Sequence, residues 1–151
     1  MTPVVETELQ DASDGVVTLL QPRPGDAQLL VAGRDEEFHR WFGPGVETPR
    51  PAACIWVRDE LVGWVDYDLE HDWLGPGEVN VGYYLFPGAR GKGYASRAVE
   101  LLLRHLSRNT EHTGATLLIR PENSRSLKLA RRLGFQQKGE LEGGLFFARD
   151  V

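Results

Sequence analysis

A glycine-containing loop between a strand-like and a helix-like segment is the sequence feature that most limits how this chain folds. Residues 79–86, Val-Asn-Val-Gly-Tyr-Tyr-Leu-Phe, are mostly β-branched and aromatic and predict a strand, which Pro87 ends. From about Gly91 to Arg108, apolar residues recur at three- and four-residue steps, which predicts an amphipathic helix. The order of strand, short loop and helix places the loop just beyond the edge of a sheet.

The start of this helix has the properties of an anion-binding site. No Ser, Thr, Asp or Asn stands at its entrance to cap the first-turn amides. Gly91 and Gly93 let a ligand approach the backbone, and the helix dipole favours a negative charge there. Arg90 and Lys92 add positive charge at the same place. Residues 90–96 are therefore predicted to bind a phosphate or pyrophosphate.

Two other phosphate-binding motifs do not fit this spacing. Gly93 follows Lys92 where the NTPase loop requires Ser or Thr, and Ser96 stands where the dinucleotide fingerprint has its third glycine. The alternative to anion binding is an ordinary Gly-rich turn with solvated cations.

Composition and charge exclude several classes of protein. The 151 residues are enough for one domain, 1–151, and the polar residues 1–15 are expected to form a frayed tail. A formal net charge of −5 argues against general nucleic-acid binding, and no apolar run is long enough to span a membrane. The single cysteine, Cys54, cannot form an internal disulfide, which favours a reducing compartment and predicts a cytoplasmic protein. The 4 histidines show no ligand spacing, so no metal site is expected.

The rest of the pattern predicts strands and helices in mixed order, which indicates an α+β or α/β fold with a central sheet. Strands are expected at 16–20, 54–58, 61–67, 78–86 and 116–119, with a last hairpin formed by 136–140 and 145–149. Besides the long helix, helices are expected at 26–32, at 34–42 and from about 121 to 133.

With these motifs in place, the chain resembles the GNAT superfamily of N-acetyltransferases, and within it the branch of ribosomal-protein N-terminal acetyltransferases. Residues 90–95, Arg-Gly-Lys-Gly-Tyr-Ala, match the acetyl-CoA loop of that family. Residues 123–126, Asn-Ser-Arg-Ser, followed by Leu-Gly-Phe at 133–135, look like its second motif. The resemblance runs from about Val16 to Arg149. It implies an α+β, sandwich-like fold whose mixed, mostly antiparallel central sheet is splayed at the acetyl-CoA site and flanked by helices.

The resemblance also implies which residues hold acetyl-CoA. Backbone amides of 91–96 would bind the pyrophosphate, and two residues of the splayed strand would pair their backbones with the pantetheine arm. Asn123 would contact the cofactor arm or its thiol end, a role compatible with capping the helix that follows. The implied cofactor-binding residues are Tyr83, Leu85, Arg90, Gly91, Lys92, Gly93, Tyr94, Ala95, Ser96 and Asn123.

The chain departs from the family pattern where a general base is often found. The strand position that often holds a carboxylate in this branch is Asn80. Glu78 lies two residues earlier on the same strand face and is the candidate base. The alternative for Glu78 is a solvated carboxylate at the start of a strand.

The proton donor for the leaving thiolate is also not where the family often has it. Ala130 occupies the second-motif position that often holds a tyrosine. Ser126 is therefore the candidate acid, and Tyr83 or Tyr84 could replace it. For Ser126, a plain surface position remains the alternative.

The function predicted is that of an acetyl-CoA-dependent N-acetyltransferase, in which a primary amine attacks the thioester directly. The acceptor would be a peptide N-terminus or a small-molecule amine, and the acidic segment 66–72 either attracts its ammonium group or is simply solvated. The alternatives are a non-catalytic CoA-binding sensor or structural subunit, and a nucleotide-binding protein. The short segment after Phe135 leaves the acceptor side open or completed by a second subunit, so a homodimer is a further alternative.

Overall fold

In residues 8–151, which the computed structural model describes, eight strands form one sheet and four α-helices pack on it. The strands are β1 (Ala12–Ser13), β2 (Val17–Leu20), β3 (Ala53–Val57), β4 (Glu60–Asp68), β5 (Glu78–Leu85), β6 (Gly114–Ile119), β7 (Gln136–Leu141) and β8 (Gly144–Asp150). The helices are α1 (Asp26–Ala32), α2 (Glu36–Phe42), α3 (Tyr94–Asn109) and α4 (Ser124–Arg132).

The sheet is mixed and mostly antiparallel, as the sequence predicts. Its strand order is β1-β2-β3-β4-β5-β6-β8-β7, and only β5 and β6 run parallel. A parallel pair needs a crossover, and α3 provides it between these two strands.

The parallel pair comes apart after a short stretch, which opens the sheet in its middle. β5 and β6 are paired only from Glu78 opposite Gly114 to Asn80 opposite Thr116. Beyond this point β5 remains paired to β4 as far as Leu85, while β6 follows β8 instead. The result is the splayed sheet that the family resemblance implied, with a wedge-shaped opening between the carboxyl ends of β5 and β6.

Helices α2 and α4 lie on opposite faces of this opening. The Tyr83 hydroxyl meets Ser126 of α4, whereas the hydroxyl of the next residue, Tyr84, donates to Asp35 at the start of α2. Successive side chains of a strand point to opposite faces of a sheet. The opening can therefore be reached from the α4 face and from the α2 face.

The apolar face of α3 forms the centre of the core. Its residues Ala98, Val99, Leu102 and Leu106 are fully buried, in the three- and four-residue steps seen in the sequence. This packing fixes the start of α3 at the open end of the β5–β6 wedge.

Several element boundaries differ from the sequence prediction by one to three residues. Helix α3 begins at Tyr94 and not near Gly91, because Gly93 has a φ of +82° and so cannot belong to a right-handed helix. The predicted frayed tail, 1–15, is wrong for its second half, since Leu9 is only 4% exposed and Ala12–Ser13 pairs with β2. Residues 1–7 lie outside the described residues. Within the described range, no helix combines the length and apolar character needed to cross a membrane.

Candidate active site

A cavity of about 660 Å³ occupies the opening between β5 and β6. It is bordered by residues 80–85 of β5, by residues 117–120 at the end of β6, and by residues 93–96 at the start of α3. One side of α4 closes the cavity on the face of the sheet opposite α2. Its volume is within the range of about 300–1,000 Å³ that is usual for ligand pockets.

The start of α3 presents uncapped backbone amides to this cavity. No side chain caps the helix, and its first internal hydrogen bond runs from the Arg97 amide to the Gly93 carbonyl at 3.3 Å. The three preceding amides therefore have no partner within the helix. A Cβ at Gly91 or at Gly93 would meet no atom within 4 Å, so the space beside both glycines is open. This is the arrangement by which helix starts bind phosphate groups.

The Arg90 side chain is committed to an acidic pair and not to this helix start. Its guanidinium contacts the Asp35 carboxylate at 2.9 and 3.2 Å and the Glu37 carboxylate at 2.6 Å. Asp35 also accepts a hydrogen bond from Tyr84 at 2.7 Å. Hydrogen bonding to Arg90 is the largest cause holding the Asp35 pKa well below its usual value. Arg90 thus links α2 to the loop before α3. Its positive charge is already balanced by these carboxylates, whereas the sequence analysis expected it to help bind phosphate.

Lys92, the second cation of the loop, is exposed and lies outside the lining of the cavity. The sequence analysis missed Arg120, which follows β6, and three cations of α4, Arg125, Lys128 and Arg132, all of which line the cavity. Arg132 also points toward the start of α3, with its Nη1 donating to Ser96 Oγ at 3.5 Å. The spacing of three and four residues between the α4 cations was the available signal, because it places all three on one side of a helix.

The second motif both caps helix α4 and lines the cavity. Asn123 caps α4, its Oδ1 accepting the Ser126 amide at 3.3 Å, and it also lines the cavity. The Ser126 hydroxyl is 2.5 Å from the hydroxyl of Tyr83, so the two side chains bridge α4 and β5. Burial raises the pKa of Tyr83 to about 12. The phenol therefore stays protonated at neutral pH.

Glu78, the base candidate from the sequence, lies at the closed end of the β5–β6 pair and outside the cavity lining. Its Oε1 accepts the Gly75 amide at 2.7 Å, so the preceding turn holds the carboxylate. Asn80 does line the cavity, and its Oδ1 accepts a hydrogen bond from Thr116 at 3.3 Å.

Two carboxylates line the cavity among the described residues, Glu37 and Glu142. Glu37 is occupied by Arg90, by Arg125 at 3.7 Å and by the indole of Trp41. Glu142 has no hydrogen bond or ion pair with any residue in the described range. The sequence analysis did not single it out.

The backbone at Glu142 is unusual for a glutamate. Glu142 and Gly143 form the two-residue turn between β7 and β8, with φ values of +50° and +79°. Positive φ at both positions is typical of a type I′ turn, which favours Asn or Gly at its first position. Arg58, in the turn between β3 and β4, is the other non-glycine residue with positive φ among the described residues, so the turn explains this conformation. The signal available in the sequence was the Leu-Glu-Gly-Gly turn at 141–144.

The acidic segment 66–72 is separate from the cavity lining. Asp66 Oδ1 accepts the amides of Ala52 and Tyr67, both at 3.0 Å, and burial is the main cause of its raised pKa. Asp68 contacts the His71 ring at 2.8 Å. These carboxylates therefore have local structural partners. In the described residues, no group of three or more His, Cys, Asp or Glu is placed to hold a metal ion.

Comparison with known families identifies this arrangement. Residues 17–136 match the model of the acetyltransferase (GNAT) domain, and the chain belongs to that acyltransferase family. The resemblance inferred from the two motifs is thus confirmed. An uncharacterized N-acetyltransferase, p20, from Bacillus licheniformis is 32% identical over 92 residues, which are 61% of this chain. The chain spans 51% of the length of that curated relative.

Solved structures share the fold at low sequence identity. Mycobacterium smegmatis RimJ, in complex with a CoA disulfide, has a TM-score of 0.72 and 20% identity, covering 91% of this chain and 83% of RimJ. The microcin C7 self-immunity acetyltransferase MccE, in complex with acetyl-CoA and AMP, has a TM-score of 0.72 and 17% identity, covering 91% of this chain and 94% of MccE. At these identities the likeness establishes the fold.

Proposed function

We propose that this protein is an acetyl-CoA-dependent N-acetyltransferase that acts on a primary amine. The observation that carries the proposal is the uncapped start of α3, with Gly91 and Gly93, at the open end of a gap between two parallel strands. Such a gap offers unpaired strand backbone next to an anion site, which suits a long ligand with a diphosphate at one end. The family match and the CoA ligands of RimJ and MccE support this assignment.

The residues of the cavity fit acetyl-CoA on chemical grounds. Amides of residues 94–96 would hold the diphosphate, and Lys128 and Arg132 would balance further phosphate charge. The backbone of Tyr83 and Leu85 faces the gap and would pair with the pantetheine arm. Acetyl-CoA supplies the activated acyl group, and the protein contributes the positions of both reactants.

The acceptor amine would reach the thioester from the α2 face. On that face α2 contributes Glu37, Trp41 and Phe42 to the cavity. Glu142 would accept a proton from the attacking amine, directly or through one water, because its carboxylate has no partner among the described residues. A backbone amide of β5 would stabilise the developing oxyanion, a contribution of about 3–4 kcal/mol in comparable sites. Ser126 would supply the proton to the leaving sulfur.

We expect Glu142→Gln to lower kcat/KM by about a hundredfold or more, since general bases contribute about 10²–10⁴-fold. The affinity for acetyl-CoA should stay within about twofold of the wild type, because the substitution changes only the acceptor-side carboxylate. Steady-state rates from pH 5 to 9 and calorimetric titration with CoA measure the two quantities.

Glu78→Gln makes the same chemical change at the competing carboxylate and decides between the two. A large loss of rate in Glu78→Gln, with a normal rate and pH profile in Glu142→Gln, would assign the base to Glu78 and contradict the role given to Glu142.

The function itself is tested by release of CoA thiol from acetyl-CoA across a panel of amines, with mass detection of the acetylated product. Turnover with at least one peptide N-terminus or small-molecule amine supports the proposal. Tight CoA binding without acetylation of any amine would favour a non-catalytic CoA-binding module, for which the buried Ala130 at the usual tyrosine position is the supporting observation. Stabilisation by ATP or NAD with none by CoA would refute both.

A further inference from the structure

The hydroxyl pair of Tyr83 and Ser126 links the strand and the helix that border the cavity. Tyr83 comes from β5 and Ser126 from the first turn of α4, and their oxygens are 2.5 Å apart. Both residues line the cavity. The pair therefore lies in the wall of the cavity where β5 and α4 meet.

We propose that Tyr83 is a positioning residue that makes Ser126 an effective proton donor to the leaving sulfur, in place of the helix tyrosine that Ala130 replaces. The inference rests on the proposed acetyl transfer and concerns its last step, the protonation of the leaving sulfur. Tyr83 acts through Ser126, which is the residue that would touch the sulfur.

The hydrogen-bond count of the pair supports this role. Two hydroxyls that share one hydrogen bond use one of their two protons and leave the other available. A phenol is a stronger acid than an aliphatic alcohol, so Tyr83 is the better donor and Ser126 the better acceptor. The serine proton then remains free to point into the cavity. A serine in a helix often uses its proton on the carbonyl one turn earlier, but within the described residues the only hydrogen-bond contact of the Ser126 hydroxyl is with Tyr83.

The structure separates Tyr83 from Tyr84, the other tyrosine that the sequence allowed. The Tyr84 hydroxyl donates to Asp35 at 2.7 Å and also lies 3.2 Å from the Gly33 carbonyl. Its single proton is thus used on the opposite face of the sheet. Position 130 of α4 is a fully buried alanine, which has no hydroxyl to offer.

The proton movements balance as follows. The amine nitrogen forms a bond to the thioester carbon, and the carbon–sulfur bond breaks with its electron pair going to sulfur. Sulfur takes the hydroxyl proton of Ser126, Ser126 takes the phenolic proton of Tyr83, and Tyr83 recovers a proton from solvent. The extra proton of the acylated nitrogen leaves to solvent through the acceptor-side base.

The first test compares Tyr83→Phe with the wild type in steady-state kinetics. Phenylalanine keeps the ring and removes only the hydroxyl, and we expect kcat to fall about tenfold to a hundredfold with an unchanged KM for acetyl-CoA. Ser126→Ala should have a similar effect, and the double variant should be no worse than either single one, because the two groups act as a unit. Tyr67→Phe, which removes a phenol of β4 outside the cavity lining, is the control.

The second test needs no turnover. Calorimetry measures the affinities for CoA and for desulfo-CoA from pH 6 to 9.5. A proton donor at the sulfur favours the thiolate, so the ratio of the two affinities should rise with pH in the wild type, by about tenfold if the bound thiol has a pKa one unit lower. In Tyr83→Phe and in Ser126→Ala the rise should be much smaller.

The outcomes separate this inference from the proposed function. Identical affinity-ratio profiles in the wild type and in Tyr83→Phe, or a raised KM with normal kcat in that variant, would overturn the role of Tyr83 and leave acetyl transfer intact. A wild-type protein that binds no CoA would overturn both. A wild type that binds CoA without turnover but keeps the pH-dependent ratio would refute the transferase activity, and the hydroxyl pair would still be confirmed as a donor to sulfur.

Discussion

Replacement of Gly93 by Asp should weaken binding of acetyl-CoA by at least a hundredfold. The φ of +82° at this residue costs an L side chain about 1–2 kcal/mol, so the loop would shift or strain. A carboxylate beside the helix start would also repel a diphosphate, by about 4 kcal/mol for one pair of charges at 4 Å in an effective dielectric constant of 20. A hundredfold change corresponds to about 2.7 kcal/mol, so the two effects together exceed it. Calorimetric titration with CoA measures the loss.

Two further variants divide this effect into its causes. Gly93→Ala introduces the backbone strain without the charge, and it should weaken CoA binding much less than Gly93→Asp does. Gly88→Asp adds the same charge in an exposed turn, where a Cβ meets no atom within 4 Å and φ is ordinary, and should leave CoA affinity within about twofold. If Gly93→Asp folds normally and binds CoA as the wild type does, the diphosphate is bound elsewhere.

Asp35→Ala should lower the free energy of unfolding by about 2–4 kcal/mol, since it removes a helix cap and one partner of a mostly buried ion pair. The Asp35 carboxylate accepts the Phe38 amide at 3.1 Å, the Tyr84 hydroxyl at 2.7 Å and the Arg90 guanidinium at 2.9 and 3.2 Å. Urea unfolding followed by circular dichroism measures the change. Glu36→Ala removes the neighbouring exposed carboxylate in the same helical turn and should cost about 0.5 kcal/mol or less.

The same site predicts a pH dependence whose sign follows from the pKa. The pKa of Asp35 is lowered in the folded protein, chiefly by hydrogen bonding to Arg90. Its contribution to stability is therefore complete above its ordinary value of 3.8 and is lost as the pH falls below it. Asp35→Asn should flatten the acid limb of the stability profile. An unchanged acid limb in that variant would show that the Asp35–Arg90 pair does not stabilise the fold.

The local patterns of the sequence were enough to predict the fold class and the loop that leads into α3. The β-branched and aromatic residues of β5 and the three- and four-residue steps of α3 depend only on residues that are close in the chain, and both elements are present within three residues of their expected ends. The parallel pair and its early separation followed only from the family resemblance. Strand periodicity gives no information about which strands stop pairing.

The side-chain roles were harder to predict because their partners are distant in sequence. Arg90 was assigned to phosphate since Asp35, which balances its charge, lies 55 residues away. Glu78 was assigned as the base because strand alternation gives the face of the sheet on which its side chain lies. The hydrogen bond from the Gly75 amide, which holds its carboxylate, could not be predicted. The pairing of Tyr83 with Ser126 spans 43 residues and joins strand β5 to the second motif, two segments whose contact local patterns do not reveal.

The gap in the sheet has a consequence for how such a protein can diversify. In the proposed complex the acyl donor contacts α3 and α4, while α2 borders the cavity on the other face of the sheet. Substitutions at Trp41 or Phe42 are therefore expected to alter which amine is accepted without weakening the binding of the proposed acyl donor. In the proposed transferase, acceptor selectivity can therefore change independently of donor binding.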